Sequence, residues 1–407
     1  MTESVETVIV GGGQAGMALS YFLTQERREH VILEKRDRPG SAWTAQRWDS
    51  FTLVTPNWTF CLPGAEYDGD DPHGFMPRSE IERRFREYAI RYNMPLRFGV
   101  EVSSVEPQDG GYLVSASDRN YRARNVVVAS GLFQRPKVPA WAGDLPPEIF
   151  QLAACDYRNP QQLPPGAVLV VGSGQSGCQI AEELNEAGRK VYLCTGSAGR
   201  FPRRYRGRDV VEWAMIIGFF DRTQDMLPSL AARFGPNPQA TGKNGGHTIN
   251  LHQFYRDGIT LLGHARGVQD GKLLLAPDMH ECVAKADTFE REFAKKIDAA
   301  ILQYGYSDPP EQLPQLTDAF SAPVIESLDL KSAGITAVLW TGGFAFDYSL
   351  VKLPVVDSFG FPLTQRCVTQ YPGLFFLGMP WLHAAKSGLL MGVGADAAYV
   401  AGKIVNG

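Results

Sequence analysis

Residues 7–34 read TVIVGGGQAGMALSYFLTQERREHVILE, and this stretch decides the fold. Val8-Ile9-Val10 is a short apolar run, suited to a buried strand. Gly11, Gly13 and Gly16 follow at the G-x-G-x-x-G spacing. In that pattern the first glycine permits a tight turn and the second lets a pyrophosphate approach the backbone. The third lets a helix pack close to the strand. Gln14 and Ala15 open that helix, whose free N–H groups and dipole favour an anion. A second strand, Val31-Ile32-Leu33, ends in Glu34, and an acid there accepts hydrogen bonds from a ribose. Lys35 adjoins it. A glycine turn that binds nothing would not require Glu34, so the expectation is a dinucleotide site.

The pattern recurs. Residues 167–195 read AVLVVGSGQSGCQIAEELNEAGRKVYLCT, a strand, a turn with Gly172, Gly174 and Gly177, a helix and a second strand. Gln175 and Ser176 lie at the helix start. Here the acid is missing, and the second strand ends in Cys194-Thr195. Arg200, Arg203, Arg204, Arg206 and Arg208 follow. A carboxylate would repel a 2′-phosphate, so Thr195 with Arg200 and Arg204 behind it points to NADPH rather than NADH. The alternative for these arginines is a solvated surface loop.

Two such sites in one chain imply two cofactors that exchange electrons, FAD at the first and NADPH at the second. The expected fold is α/β, with two Rossmann-like dinucleotide-binding domains and the NADPH domain inserted in the FAD domain. Residues 1–150 and 335–407 would form the FAD domain, and residues 160–334 the NADPH domain with substrate determinants. The proline-rich stretch 134–165 reads as a crossing linker, and 228–246 as a long irregular loop of the kind that forms lids. Residues 287–304 have helical periodicity, and 387–405 read as a final helix.

The length of 407 residues suits two domains, and 44% apolar with 21% charged residues is ordinary for a globular protein. The net charge of −4 gives no reason to expect nucleic acid or an anionic membrane as partner. No stretch approaches the roughly 18 apolar residues of a membrane helix, and the N-terminus lacks a signal core. The six cysteines form neither a CxxC pair nor a zinc knuckle, so no metal is expected and a dithiol mechanism is disfavoured. The expected setting is cytoplasmic. The oligomeric state is open, a homodimer included.

The sequence resembles the class B flavin-containing monooxygenases, including the plant YUCCA enzymes and bacterial flavoproteins associated with potassium transport. The resemblance covers nearly the whole chain. Arg38-Pro39-Gly40-Ser41-Ala42-Trp43 matches a turn beside the flavin pyrophosphate, which implicates Ser41 and Trp43. Val127-Val128-Ala129-Ser130-Gly131 matches a strand and linker motif, implicating Ala129 and Gly131. Leu339-Trp340-Thr341-Gly342-Gly343-Phe344 is similar to a late family segment, implicating Thr341 and Gly342. Thr55-Pro56-Asn57-Trp58 sits where the family places an asparagine near the flavin. The signature F-x-G-x-x-x-H-x-x-x-Y is degraded: Trp141, Gly143, Ala153 and Tyr157 stand in its place, with alanine for histidine.

The resemblance implies that NADPH reduces FAD and that one oxygen atom from O2 passes through a C4a-hydroperoxyflavin to a small-molecule substrate, at nitrogen, sulfur or a carbonyl. Asn57 is then the catalytic candidate, as a donor to the flavin adduct. It is equally a turn-forming asparagine after proline. A final helix beginning near Gly388, Leu389 and Leu390 would direct its dipole at the reduced flavin. His247, His383 and Lys386 are weaker candidates for substrate or nucleotide contact. Two alternatives stay open: an NADPH oxidase or reductase, and a redox-sensing regulator of a cation transporter.

Overall fold

The computed structural model describes residues 2–407. The first glycine turn leaves strand Thr2–Val10, which is central in a seven-stranded sheet. On one side it pairs in parallel with His30–Glu34, and that strand pairs with Leu96–Phe98. On the other it pairs in parallel with Asn120–Val128. This long strand divides its outer edge. Residues 120–123 pair antiparallel with 112–115, and 126–128 pair in parallel with Leu374–Phe376. Val8 and Ile9 are fully buried, as a two-sided α/β sheet demands. Helices Gln14–Gln25 and Val393–Asn406 pack against each other beside this sheet.

The second glycine turn leaves strand Ala167–Val171 in a five-stranded sheet, parallel throughout. Its order is Phe150–Ala153, Ile335–Trp340, Ala167–Val171, Val191–Cys194, Thr260–Leu262. A small antiparallel sheet of 265–269, 272–275 and 327–329 follows. In an aromatic cluster, Phe201 packs edge to face on Phe219, Phe289 and Phe293, its centroid 4.7 Å from that of Phe293, while Phe289 and Phe293 stack.

Four expectations need correction. The stretch 134–165 is not wholly irregular, because Phe150–Ala153 forms the edge strand of the second sheet. Residues 335–340 also belong to that sheet; the chain returns to the first one at Val351, which bridges Val105 in parallel, and pairs with it as a strand from Leu374. The boundary at 150 falls on the first residue of one strand of the second sheet, and that at 335 assigns the whole of another, Ile335–Trp340, to the first unit. The helix expected at 287–304 begins at Met279, since Met279, Cys282, Val283 and Ala286 extend its buried stripe. The final helix begins at Val393, not Ser387. A Cβ at Gly392 would strike the Lys386 carbonyl, and one at Gly388 would lie 2.5 Å from the Pro380 ring, so the chain makes a short 3-10 turn there first.

Candidate functional site

At the first turn each glycine has a separate duty. Gly11 has φ +115°, and a Cβ there would sit 2.5 Å from the Ala129 carbonyl oxygen. A Cβ at Gly16 would fall on the Gly11 carbonyl, so helix and strand touch through it. Gly13, the N-cap of the helix, has nothing within 4 Å of a Cβ. That open side above free N–H groups is the space a pyrophosphate requires. Glu34 is buried and accepts from the Gly12 amide at 2.7 Å and the Arg36 amide at 2.9 Å. Each carboxylate oxygen keeps a lone pair for a ribose hydroxyl. Lys35 is exposed beside it.

The other first-site residues gather around this turn. The Gly40 amide donates to the Gly12 carbonyl at 2.9 Å. The Ser41 hydroxyl donates to the Arg38 carbonyl at 2.7 Å. Trp43 Nε1 donates to Gln14 Oε1 at 2.9 Å, and Gln14 Nε2 donates to the Gly388 carbonyl at 2.7 Å. The Ala129 amide donates to the Val10 carbonyl at 2.9 Å, and Gly131 takes φ +73° just beyond. Ala15 packs so tightly under Gly378 that no Cβ fits at 378. Leu389 and Leu390 lie between the 3-10 turn and the helix, so the dipole expected there belongs instead to Val393.

The second turn repeats the geometry. Gly172 has φ +115°, a Cβ at Gly177 would meet the Gly172 carbonyl, and Gly174 is open. The Thr341 hydroxyl is shared between the carbonyls of Val171 and Gly172, at 2.8 and 2.7 Å, which fixes the turn. Gly342 follows next to the Lys137 carbonyl. The irregular loop crosses the start of helix Gln175–Glu186. Gln175 and Gln179 donate to the Pro238 and Ala240 carbonyls at 2.8 and 2.7 Å. Gln239 donates to the Ser173 carbonyl at 2.6 Å, and its own Oε1 is buried without a donor. Ser176 is partly buried under this cover. The open glycines, the buried acid at the first turn and the orphaned acceptor at the second fit one dinucleotide each.

The arginine cluster is dispersed. Arg200 is buried and ion-paired with Asp287 and Glu290, at 2.7 and 2.6 Å. Arg203 pairs with buried Asp209, Arg206 with Asp298, and Arg208 with Asp308 and Glu212. Arg200 is thus ion-paired inside the fold through Nη2, with Nε and Nη1 unpartnered, where a 2′-phosphate contact was expected. Its partners lie on a helix some ninety residues later and could not be matched to it by spacing. Arg204 alone of the five has no carboxylate partner among the described residues. It donates to the carbonyls of Gly245 and Gly246 at 2.8 and 3.0 Å. Thr195 is buried, with its hydroxyl on the Leu262 carbonyl at 2.7 Å.

Asn57 is buried at the start of a single 3-10 turn. Its Nδ2 donates to the Asp71 carbonyl at 2.9 Å, and its Oδ1 accepts from the Met76 amide at 2.6 Å. One amide hydrogen remains. Ala153 ends the edge strand, and Tyr157 is buried with its hydroxyl on Glu183 at 2.9 Å. His247 lies on Glu182, Lys386 pairs with Asp221, and His383 is exposed. Arg47 was not singled out from the sequence. Its guanidinium sits over Phe133, Phe51 and Trp43, 4.4 to 5.5 Å from the ring centroids, with Nε unpartnered. Burial pulls its pKa down to about 10. A cation spaced among Trp43, Trp48 and Phe51 was the available signal.

The chain belongs to the pyridine nucleotide-disulphide oxidoreductase family, which matches residues 8–211. It is an oxidoreductase, and family and turns together imply FAD and NADPH. All six cysteines are free. Along its full length the chain is 32% identical to the CzcO-like oxidoreductase of Geobacillus kaustophilus, covering 100% of both. It is 24% identical to the rice indole-3-pyruvate monooxygenase YUCCA1, over 80% of this chain and 83% of that one. The fold matches a flavin-containing monooxygenase from Stenotrophomonas maltophilia at TM-score 0.66 and 20% identity, with 99% of each chain covered. No helix among the described residues is long and apolar enough to cross a membrane.

Proposed function

We propose that the protein is an NADPH-consuming, FAD-dependent monooxygenase that inserts one oxygen atom from O2 into a small organic substrate at nitrogen, sulfur or a carbonyl. The observation that carries the reading is the pair of open glycine cradles on two parallel sheets of one chain. FAD supplies the electron transfer from nicotinamide to oxygen. The protein's part is to bind, orient and exclude water. Gly13 with Glu34 holds one pyrophosphate and ribose, and Gly174 holds the other. Ser41, Trp43, Ala129, Gly131 and the Leu389–Leu390 segment enclose the first cofactor, and Thr341, Gly342 and Thr195 frame the second. The loop across Gln175 and Gln179 keeps water from the nicotinamide nucleotide. Asn57 offers its remaining amide hydrogen to the flavin.

The test supplies isotopically labelled O2 and NADPH to the purified holoprotein with sulfides, tertiary amines and ketones. The reading expects labelled oxygen in a product and less peroxide than NADPH consumed. Peroxide equal to NADPH with every substrate would make the protein an NADPH oxidase instead.

A further inference from the structure

We propose that His264, Asp278 and Cys282 form a binding site for a divalent transition-metal ion of the zinc type. Their donor atoms, one each from imidazole, carboxylate and thiol, all lie within 4.8 Å of one another. They meet at one point. His264 Nδ1 is 2.8 Å from Asp278 Oδ2 and 3.7 Å from Cys282 Sγ. A catalytic relay would need the acid and the thiol on opposite ring nitrogens. Here both face the same nitrogen, which is the arrangement of ligands around an ion. Ligand distances of about 2.0–2.3 Å to a tetrahedral Zn2+ put N and S roughly 3.5 Å apart. The nitrogen–sulfur distance already fits, and the carboxylate needs to withdraw by only about half an ångström as the ion replaces the shared proton.

The backbone builds this convergence. Asp278 is the N-cap of helix Met279–Tyr304, and Cys282 lies one turn along it. The Cys282 amide donates to the Asp278 carbonyl at 3.0 Å. Asp278 Oδ1 accepts from the His264 amide at 3.0 Å, which leaves Oδ2 facing the ring. The Ala276 amide donates to the His264 carbonyl at 2.8 Å, and a Cβ at Gly263 would strike the Ala276 carbonyl. The cluster is therefore held by hydrogen bonds that do not use its ligand atoms. Support of this kind orients ligands in metal sites.

The chemistry suits a borderline-soft ion. Cysteinate and carboxylate balance two positive charges, neutral imidazole is the third ligand, and the fourth position stays open. Cys282 is buried, while the His264 and Asp278 side chains are 45% and 24% exposed, so an ion enters from solvent past those two. A thiol binds a metal as the thiolate, so binding releases a proton and strengthens as pH rises. His264 Nε2 is near Gly196, just after the strand that ends in Thr195.

The test titrates chelator-washed holoprotein with Co2+, then with Zn2+ against a chromophoric chelator. The expected result is one ion per chain, a near-ultraviolet thiolate-to-cobalt band, and tetrahedral cobalt absorption to the red of the flavin. C282S should lose the thiolate band. C282S and the more exposed H264N should each weaken binding by more than about 100-fold, beyond the roughly 10–100-fold cost of losing a supporting group. Thermal unfolding of the metal-free variants confirms that they are folded, and H264N serves alone if C282S is not. No uptake by the natural protein, or equal uptake by both variants, would overturn the site and leave a hydrogen-bonded helix cap.

Discussion

Gln14 donates its side-chain amide to the Gly388 carbonyl at 2.7 Å, across 374 positions of sequence. Its Oε1 accepts from Trp43 Nε1, so one side chain joins the first glycine turn, the Trp43 loop and the C-terminal segment. These three pieces surround the proposed FAD site. Gln14→Leu removes both bonds at similar volume. Each is worth about 0.5–1.5 kcal/mol, and near 1.4 kcal/mol is tenfold in affinity. The variant is expected to fold and to lose FAD roughly tenfold more readily, read as the ratio of flavin to protein absorbance after gel filtration. Full retention of flavin would separate Gln14 from the cofactor.

The glycines divide into two kinds that one substitution tells apart. A Cβ has free space at Gly13 and Gly174, and their φ of −81° and −70° suits alanine. A Cβ at Gly16 or Gly177 overlaps backbone oxygen. G16A and G177A should therefore cost about 1–3 kcal/mol or more in stability. G13A and G174A should unfold like the natural protein, but weaken FAD retention and raise the KM for NADPH, respectively. An unchanged KM in G174A would remove the nucleotide from the second cradle.

What the sequence made legible was local. Both cradles, the strands feeding them and Glu34 follow from spacing, because each motif is one contiguous run, residues 7–34 and 167–195. What it hid was non-local. The edge strand Phe150–Ala153 lies among prolines and is identified only by its partner Ile335–Trp340. The long helix starts eight residues before the expected Asp287, at Met279, and its buried acids Asp287 and Glu290 are the partners of Arg200, a pairing set by the tertiary fold. Asn57 illustrates the same limit: its turn was legible, but the bonds to Asp71 and Met76 were not.

Arg200 supplies a direct test of that pairing. Its side chain is 3% exposed, and His252 also reaches Asp287, at 3.1 Å. Arg200→Met strands two buried carboxylates and should cost roughly 3–5 kcal/mol. The ratio of KM for NADPH to KM for NADH should stay unchanged in the surviving folded fraction. Arg204→Gln should do the opposite, with stability within about 0.5 kcal/mol and a raised KM for NADPH alone. Denaturant unfolding and steady-state kinetics on both variants decide between the two arginines.

His247 gives the cover over the second helix a pH dependence. Its Nε2 lies 2.7 Å from Glu182 Oε1, and this hydrogen bond raises its pKa above the ordinary 6.5, against partial burial. A group whose pKa is raised on folding adds stability that is fully present below its unfolded pKa and is lost as pH rises through the folded value. The contribution is therefore complete below about pH 6.5 and fades above it. His247 sits at the end of the loop that crosses Gln175 and Gln179, on the helix that carries Glu182. Melting temperatures of the natural protein should fall from pH 6 to pH 8 more steeply than those of His247→Gln. Parallel curves would show that the imidazolium does not hold this loop, and the pH response would then have to come from other groups.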